Sequence, residues 1–264
     1  MDLSKIKMVV TDMDGTLLNP NHEVSERFFE LFEALRKKNI QFVAASGRQY
    51  NSMAEKLETV KDDTIFIAEN GALVMHREKQ LLVNPLMPAE VGTVLKSVKG
   101  IDGAHPVLCC NQKAFVTGHS RPFVKLLREY YSCFEEVNTL ESIEEQVLKV
   151  AVYHFEGSET YIYPHVKHLE SQLKVKVSGT HWVDFSNRYA HKGHALEMVM
   201  KDRGISKNEV MVFGDYFNDV EMMQLSLYSF AMANAHPEVK KVAQFETASN
   251  EAFGVEKVLE KLVG

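Results

Sequence analysis

Apolar positions come first in short unbroken runs and then in helical arcs, and the two alternate along the first seventy residues. Ile6 to Val10 is a short, β-branched run of the kind a buried strand shows. From Ser25 to Lys38, the apolar residues Phe28, Phe29, Leu31, Phe32 and Leu35 recur at helical spacing, and Asn39 ends the arc. Gln41-Phe42-Val43-Ala44-Ala45 predicts the next strand, Ser46-Gly47-Arg48 follows it, and a helix continues through Leu57. Thr64 to Ala68 predicts a third strand, followed by Glu69-Asn70-Gly71. Strands and helices alternating at this spacing predict a parallel sheet with crossover helices.

After Leu82 the rhythm breaks at Val83-Asn84-Pro85-Leu86-Met87-Pro88. Helical arcs at 89–98, 121–131 and 166–173 then mix with strand runs at 114–117, 147–155 and 175–185, an α+β texture. The βα rhythm returns at Lys192-Gly193, with a helix to Arg203, a strand Val210-Met211-Val212-Phe213 ending in Gly214-Asp215, and a helix from Asn218 to Leu225. A strand at 229–232 and helices at 237–243 and 253–262 close the chain. The expected architecture is α/β: a Rossmann-like parallel sheet core built from residues 1–83 and 187–264, interrupted by an inserted α+β cap domain, 84–186.

Composition narrows the classes. The chain has 264 residues, 45% hydrophobic and 25% charged, which is ample for a large core. The net charge of −6, without basic clusters, argues against a nucleic-acid partner. No apolar run reaches the roughly 20 residues that span a bilayer, so no membrane partner is expected. Cys109, Cys110 and Cys133 make a poor disulfide framework, and with no signal-peptide layout at the N-terminus the expected setting is cytoplasmic.

Polar groups fall just after the predicted strands: Asp12 and Asp14, Ser46, Asn70, then Asp215, Asn218 and Asp219. In open α/β sheets ligands bind at the carboxyl ends of the strands, so these groups converge there. Carboxylates gathered at one edge repel one another, and Mg²⁺ is the expected counter-charge because it favours hard oxygen ligands, often one or two carboxylates with a phosphate. Each feature alone has a plainer reading: aspartate favours strand ends, Ser46-Gly47-Arg48 suits an ordinary turn, and Asn218-Asp219 suits a helix cap. Arg48 is expected to be an ion-pair partner rather than a ligand.

In order along the chain, Asp12-Met13-Asp14-Gly15-Thr16, Ser46-Gly47, Lys192-Gly193 and Gly214-Asp215-Tyr216-Phe217-Asn218-Asp219 resemble the motifs of haloacid dehalogenase-like phosphatases. Glu69-Asn70-Gly71-Ala72 and the position of the insert resemble the Cof-type branch. The resemblance implies a Mg²⁺-dependent phosphomonoesterase acting on small phosphorylated substrates, such as sugar phosphates, nucleotides or phosphorylated cofactors. Asp12 would be the nucleophile and Asp14 the general acid and then base. Ser46, Gly47, Lys192 and Asn218 would bind the phosphate. Asp12, the backbone carbonyl of Asp14 and Asp215 would hold the metal, with Asp219 behind them, while Asn70 would shape the site. A phosphomutase of the same superfamily, or a binding protein without turnover, stands as the alternative. Within the insert, His105, Cys109, Cys110, Asn111, His119, Arg121, His181 and Trp182 are reactive residue types for which a structural role is the plainer expectation. The histidines show no HxxxH or HxH spacing, so zinc is not expected.

Overall fold

A computed structural model of the chain describes residues 2–111, 113–128, 131 and 133–264. They form two compact units, Met1–Leu82 with His191–Gly264, and Val83–Ala190.

The first unit opens with strand β1 (Met8–Asp12), whose five residues are all buried. A central parallel strand covered on both faces needs this continuous apolar character. The polar Thr11 is accommodated because its hydroxyl donates to the Asp12 carbonyl at 2.7 Å. Helix α1 (Glu26–Lys37) is capped by Ser25, whose Oγ accepts from the Phe28 N–H, and it buries Phe28, Leu31, Phe32 and Leu35. Then follow β2 (Gln41–Ala45), α2 (Tyr50–Lys56), β3 (Thr64–Ala68), β4 (Leu73–His76) and β5 (Lys79–Val83).

The second unit begins with α3 (Pro88–Val98), β6 (His105–Cys110), β7 (Ala114–Thr117) and α4 (Arg121–Leu127). The helix expected over 121–131 therefore ends early; Glu129 and Tyr130 lie outside the described residues. Strands β8 (Phe134–Val137) and β9 (Val147–Tyr153) precede two single-turn helices, α5 (Ser158–Tyr161) and α6 (Tyr163–Val166), a 3₁₀ segment Lys167–Ser171, and strands β10 (Lys174–Gly179) and β11 (Trp182–Ser186). The six strands form one sheet, ordered β10-β11-β9-β6-β7-β8. One apolar cluster joins α3 and the 158–173 segment to Leu108, Val150, Val152, Val183 and Phe185 of the sheet. A second joins α4, through Phe123 and Leu127, to Val107, Val116, Ala151 and Tyr153. These strand residues alternate between the two clusters, as a sheet buried on both faces requires.

The chain returns to the first unit with α7 (Lys192–Arg203), β12 (Val210–Gly214), a 3₁₀ turn Phe217–Asp219, α8 (Val220–Met223), β13 (Tyr228–Ala231), α9 (Pro237–Val242), β14 (Phe245–Glu246) and α10 (Gly254–Val263). The sheet order is β14-β13-β12-β1-β2-β3-β4-β5. Pairing is parallel from β14 through β3 and antiparallel between β3 and β4. Order runs from β1 through β2 to β3 on one side and from β12 through β13 to β14 on the other. The direction of winding thus reverses between β1 and β12, the kind of switch point where α/β sheets open a crevice for ligands. Among the described residues no helix is long and apolar enough to cross a membrane.

Candidate active site

Strand register sets the site. Thr11 lies beside Phe213 of β12 and Asp12 beside Ala45 of β2. The residues that follow those partners, Ser46 and then Gly214-Asp215, therefore leave the sheet at the same edge as Asp12. Carboxylate oxygens of Asp12, Asp215 and Asp219 lie within 4.8 Å of one another.

Lys192 begins α7 with its side chain fully buried between two of these carboxylates. Its Nζ donates to Asp12 Oδ1 at 2.5 Å and to Asp219 Oδ1 at 2.7 Å. Burial alone would lower the ammonium pKa, but Asp12 and Asp219 outweigh it and raise the value, so the group stays charged. Helix α7 is capped by His191, whose Nδ1 accepts from the His194 N–H at 3.1 Å.

Asp219 spends its second oxygen, Oδ2, on the backbone N–H groups of Asp215 and Tyr216 at 2.9 and 3.1 Å. It therefore pins both the loop after β12 and the Lys192 ammonium. Asp215 is held by Thr16, whose hydroxyl donates to its Oδ1 at 2.9 Å. Gly15, at φ +79°, lets this carboxylate come close, because a Cβ there would collide with Asp215 Oδ2. The sequence alone gives Thr16 no role; its place two residues after Asp14 is the available signal.

Three carboxylates set against one ammonium leave the cluster short of positive charge. Burial first, and then the neighbouring carboxylates, raise Asp12 well above the usual carboxylate range. Burial and then the Asp219 carboxylate push Asp215 up to about 6. Buried, mutually repelling oxygen donors of this kind fit a hard divalent cation, which would reverse both shifts.

Asp14 is placed differently. Its carboxylate points into a fork from Arg48, whose Nε donates to Oδ2 at 2.7 Å and whose Nη2 donates to Oδ1 at 2.6 Å. His22 Nδ1 lies 3.3 Å from Oδ1. Burial would raise the Asp14 pKa, but Arg48 and His22 win and lower it. Arg48 is thus an ion-pair partner, and its partner is one of the two motif aspartates; neither Arg48 nor His22 was placed in the site from sequence.

A third group forms from the loops after β2, β3 and β12. Ser46 is buried, and its Oγ accepts from the Arg48 N–H at 3.1 Å. Asn218 Nδ2 donates to Asn70 Oδ1 at 3.0 Å, and the Asn70 amide lies against Gly47. Tyr216 and Phe217 between Asp215 and Asn218 are exposed, with Phe217 packed on His236. In the second unit four of the reactive residue types make contacts within that unit. His105 stacks on Phe123, Cys109 contacts Tyr131 Oη, Arg121 pairs with Glu136, and His181 bonds the His154 carbonyl.

The chain from residue 9 to 259 matches the family model of haloacid dehalogenase-like hydrolases. It is 28% identical to the 5-amino-6-(5-phospho-D-ribitylamino)uracil phosphatase YbjI of Escherichia coli (strain K12), covering 98% of this chain and 96% of that one. It is 28% identical to the HMP-PP phosphatase of Escherichia fergusonii, covering 89% and 86%. A crystal structure of a protein from Eubacterium rectale superposes with a TM-score of 0.92 at 26% identity, covering 97% of this chain and 99% of that one. With motifs, sheet order and whole-length similarity in agreement, the chain belongs to the haloacid dehalogenase-like hydrolases.

Proposed function

We propose that the chain is a Mg²⁺-assisted phosphomonoesterase of small phosphorylated metabolites, working through an aspartyl-phosphate on Asp12. The supporting observation is the cluster of Asp12, Asp215 and Asp219 at the sheet's switch point, with buried Lys192 bonded to Asp12 and Asp219. Two relatives named as phosphatases of small phosphorylated molecules support the substrate class.

In this reading Asp12, Asp215 and the Asp14 backbone carbonyl would hold the metal, with Asp219 bracing them. Bound there, Mg²⁺ supplies positive charge that offsets the carboxylates and favours an incoming phosphate. Lys192 fixes Asp12 Oδ1, orienting the carboxylate for attack on phosphorus. An Asp12 oxygen bonds to phosphorus while the bond from phosphorus to the ester oxygen breaks, and the departing alkoxide takes a proton from Asp14. The Asp14 carboxylate then takes a proton from water as the water oxygen bonds to phosphorus. The bond between phosphorus and Asp12 breaks, inorganic phosphate leaves, and Asp12 is regenerated. The resting ion pair with Arg48 suits Asp14 as the base of the second step. To act first as an acid it has to leave the Arg48 fork carrying a proton. Ser46, Gly47 and Asn218 hold the phosphoryl oxygens, since phosphoryl transfer relies on positioning and charge.

The test is phosphate release from a panel of phosphate esters with Mg²⁺. Asp12→Asn replaces the nucleophile with a neutral amide and should cut turnover by at least about 10³-fold while the fold persists. Turnover in that variant near the wild-type rate would remove Asp12 from its assigned role.

A further inference from the structure

Residues 69–71 are an anomaly of the first unit. Glu69, Asn70 and Gly71 carry φ values of +49°, +54° and +95° in succession. For Glu69 a left-handed backbone is costly, of order 1 kcal/mol or more, and it persists only where the surroundings over-determine it. The surroundings do so here. The Glu69 N–H donates to the Arg48 carbonyl at 3.0 Å and the Asn70 N–H to the Ser46 carbonyl at 2.9 Å, while Ser46 N–H reaches back to Ile67 at 2.9 Å. Gly71 abuts the His191 carbonyl so closely that a Cβ would collide with it. The bend is thereby clamped between the loop after β2 and the start of α7, which bears Lys192.

The same bend aims the Asn70 side chain. Its Oδ1 accepts from Asn218 Nδ2 at 3.0 Å, across 148 residues of sequence. Its amide also packs on Gly47, where an added Cβ would sit 3.1 Å from Asn70 Nδ2. Asn70 thus touches two of the residues assigned to phosphate, Gly47 and Asn218. The geometry points to Asn70 as a positioning residue that fixes the orientation of the Asn218 amide for phosphate binding. This rests on the phosphate-site reading above. The competing account is that asparagine is present only because it tolerates a left-handed backbone.

Asn70→Gly separates the two, because glycine adopts this backbone without cost and deletes only the amide. Titration calorimetry with inorganic phosphate, on the full chain with Mg²⁺, reads binding without turnover. We expect Asn70→Gly to weaken phosphate roughly tenfold, the scale of a misplaced binding group, with Tm unchanged. Combined with Asn218→Ala it should add less than about twofold, because the two act as one unit. Phosphate affinity of Asn70→Gly within twofold of wild type, or a full additive loss beside Asn218→Ala, overturns the proposal. If Asn70→Gly lowers Tm appreciably, the double-variant comparison decides, because the backbone change is the same with and without Asn218→Ala: a loss of phosphate affinity as large beside Asn218→Ala as in wild type overturns the proposal. Wild-type protein that binds phosphate in this Asn70-dependent way but hydrolyses no ester would remove the phosphatase reading alone. Hydrolysis with no dependence on Asn70 would remove only the positioning role, and wild-type protein that does neither would remove both.

Discussion

Lys192 and Arg48 show what a single residue discloses from sequence and what it does not. Lys192 stands at a helix start before a glycine, and its partners are motif aspartates at strand ends, so its place was readable. Arg48 follows Ser46-Gly47 just as plainly, but its bond to Asp14 depends on how two loops bend after leaving the sheet, and no spacing encodes that. Energetically the two differ. The Arg48 pair is partly exposed and screened by solvent, and pairs of that kind contribute little. Lys192 has no access to water, so its removal strands Asp12 and Asp219 in a buried setting. Lys192→Met, which keeps most of the volume, should lower stability by about 3–5 kcal/mol, the usual cost of breaking a buried pair. Urea unfolding in EDTA at neutral pH measures this; a loss under about 1 kcal/mol would mean that the two carboxylates do not depend on its charge.

Elements were readable where apolar runs were clean and hidden where a local rule was broken for a tertiary reason. Strands β2, β3 and β7 fall where the runs predict them. The apolar pattern does not mark strand β6, because Pro106 interrupts it. Pro106 is tolerated because β7 pairs with β6 only from Val107 onward, so no ladder on that side needs its missing N–H. Strand β8 is hidden in the pattern because Glu135 and Glu136 make it polar, which suits its place at the sheet edge. The β4–β5 connection was missed because its two turn residues, Arg77 and Glu78, are neither glycine nor asparagine. Both nonetheless take positive φ, +50° and +61°, as a two-residue hairpin turn requires. That strain is open to relief. Glu78→Gly should raise stability by about 0.5 kcal/mol, the left-handed penalty removed less the extra entropy of glycine. Thermal unfolding checks it, and an unchanged or lower Tm would show that Glu78 contributes contacts outweighing its backbone cost.

At the scale of the whole molecule, the α/β class was readable because the βα rhythm stops and later resumes, and the resumed strands complete the sheet that the first strands began. The charge balance of the folded chain was not readable, since it depends on which titratable groups folding removes from water. His76 in the first unit and His105 in the second are both shifted downward, chiefly by burial. A histidine with a lowered folded pKa binds fewer protons folded than unfolded, so its contribution to stability is fully present above the unfolded value, near 6.5. That contribution is lost as pH falls through that value towards the folded one. Asp215, raised to about 6, acts in the opposite sense in the metal-free protein, because its protonated form is favoured on folding. The total slope therefore mixes signs, and the difference between wild type and a histidine variant is the cleaner quantity. His105 stacks on Phe123 and meets Phe155 edge-on, and the nearby His154 adds to its downward shift. His105→Gln removes the titration and the stack together; the lost stack costs the same at every pH, whereas the lost titration does not. The stability gap between wild type and His105→Gln should therefore narrow as pH is lowered from 8 to 5.5, as read from urea unfolding in EDTA. A gap that stays constant, or widens towards acid, would show that His105 takes up its proton as easily in the folded chain as in the unfolded one.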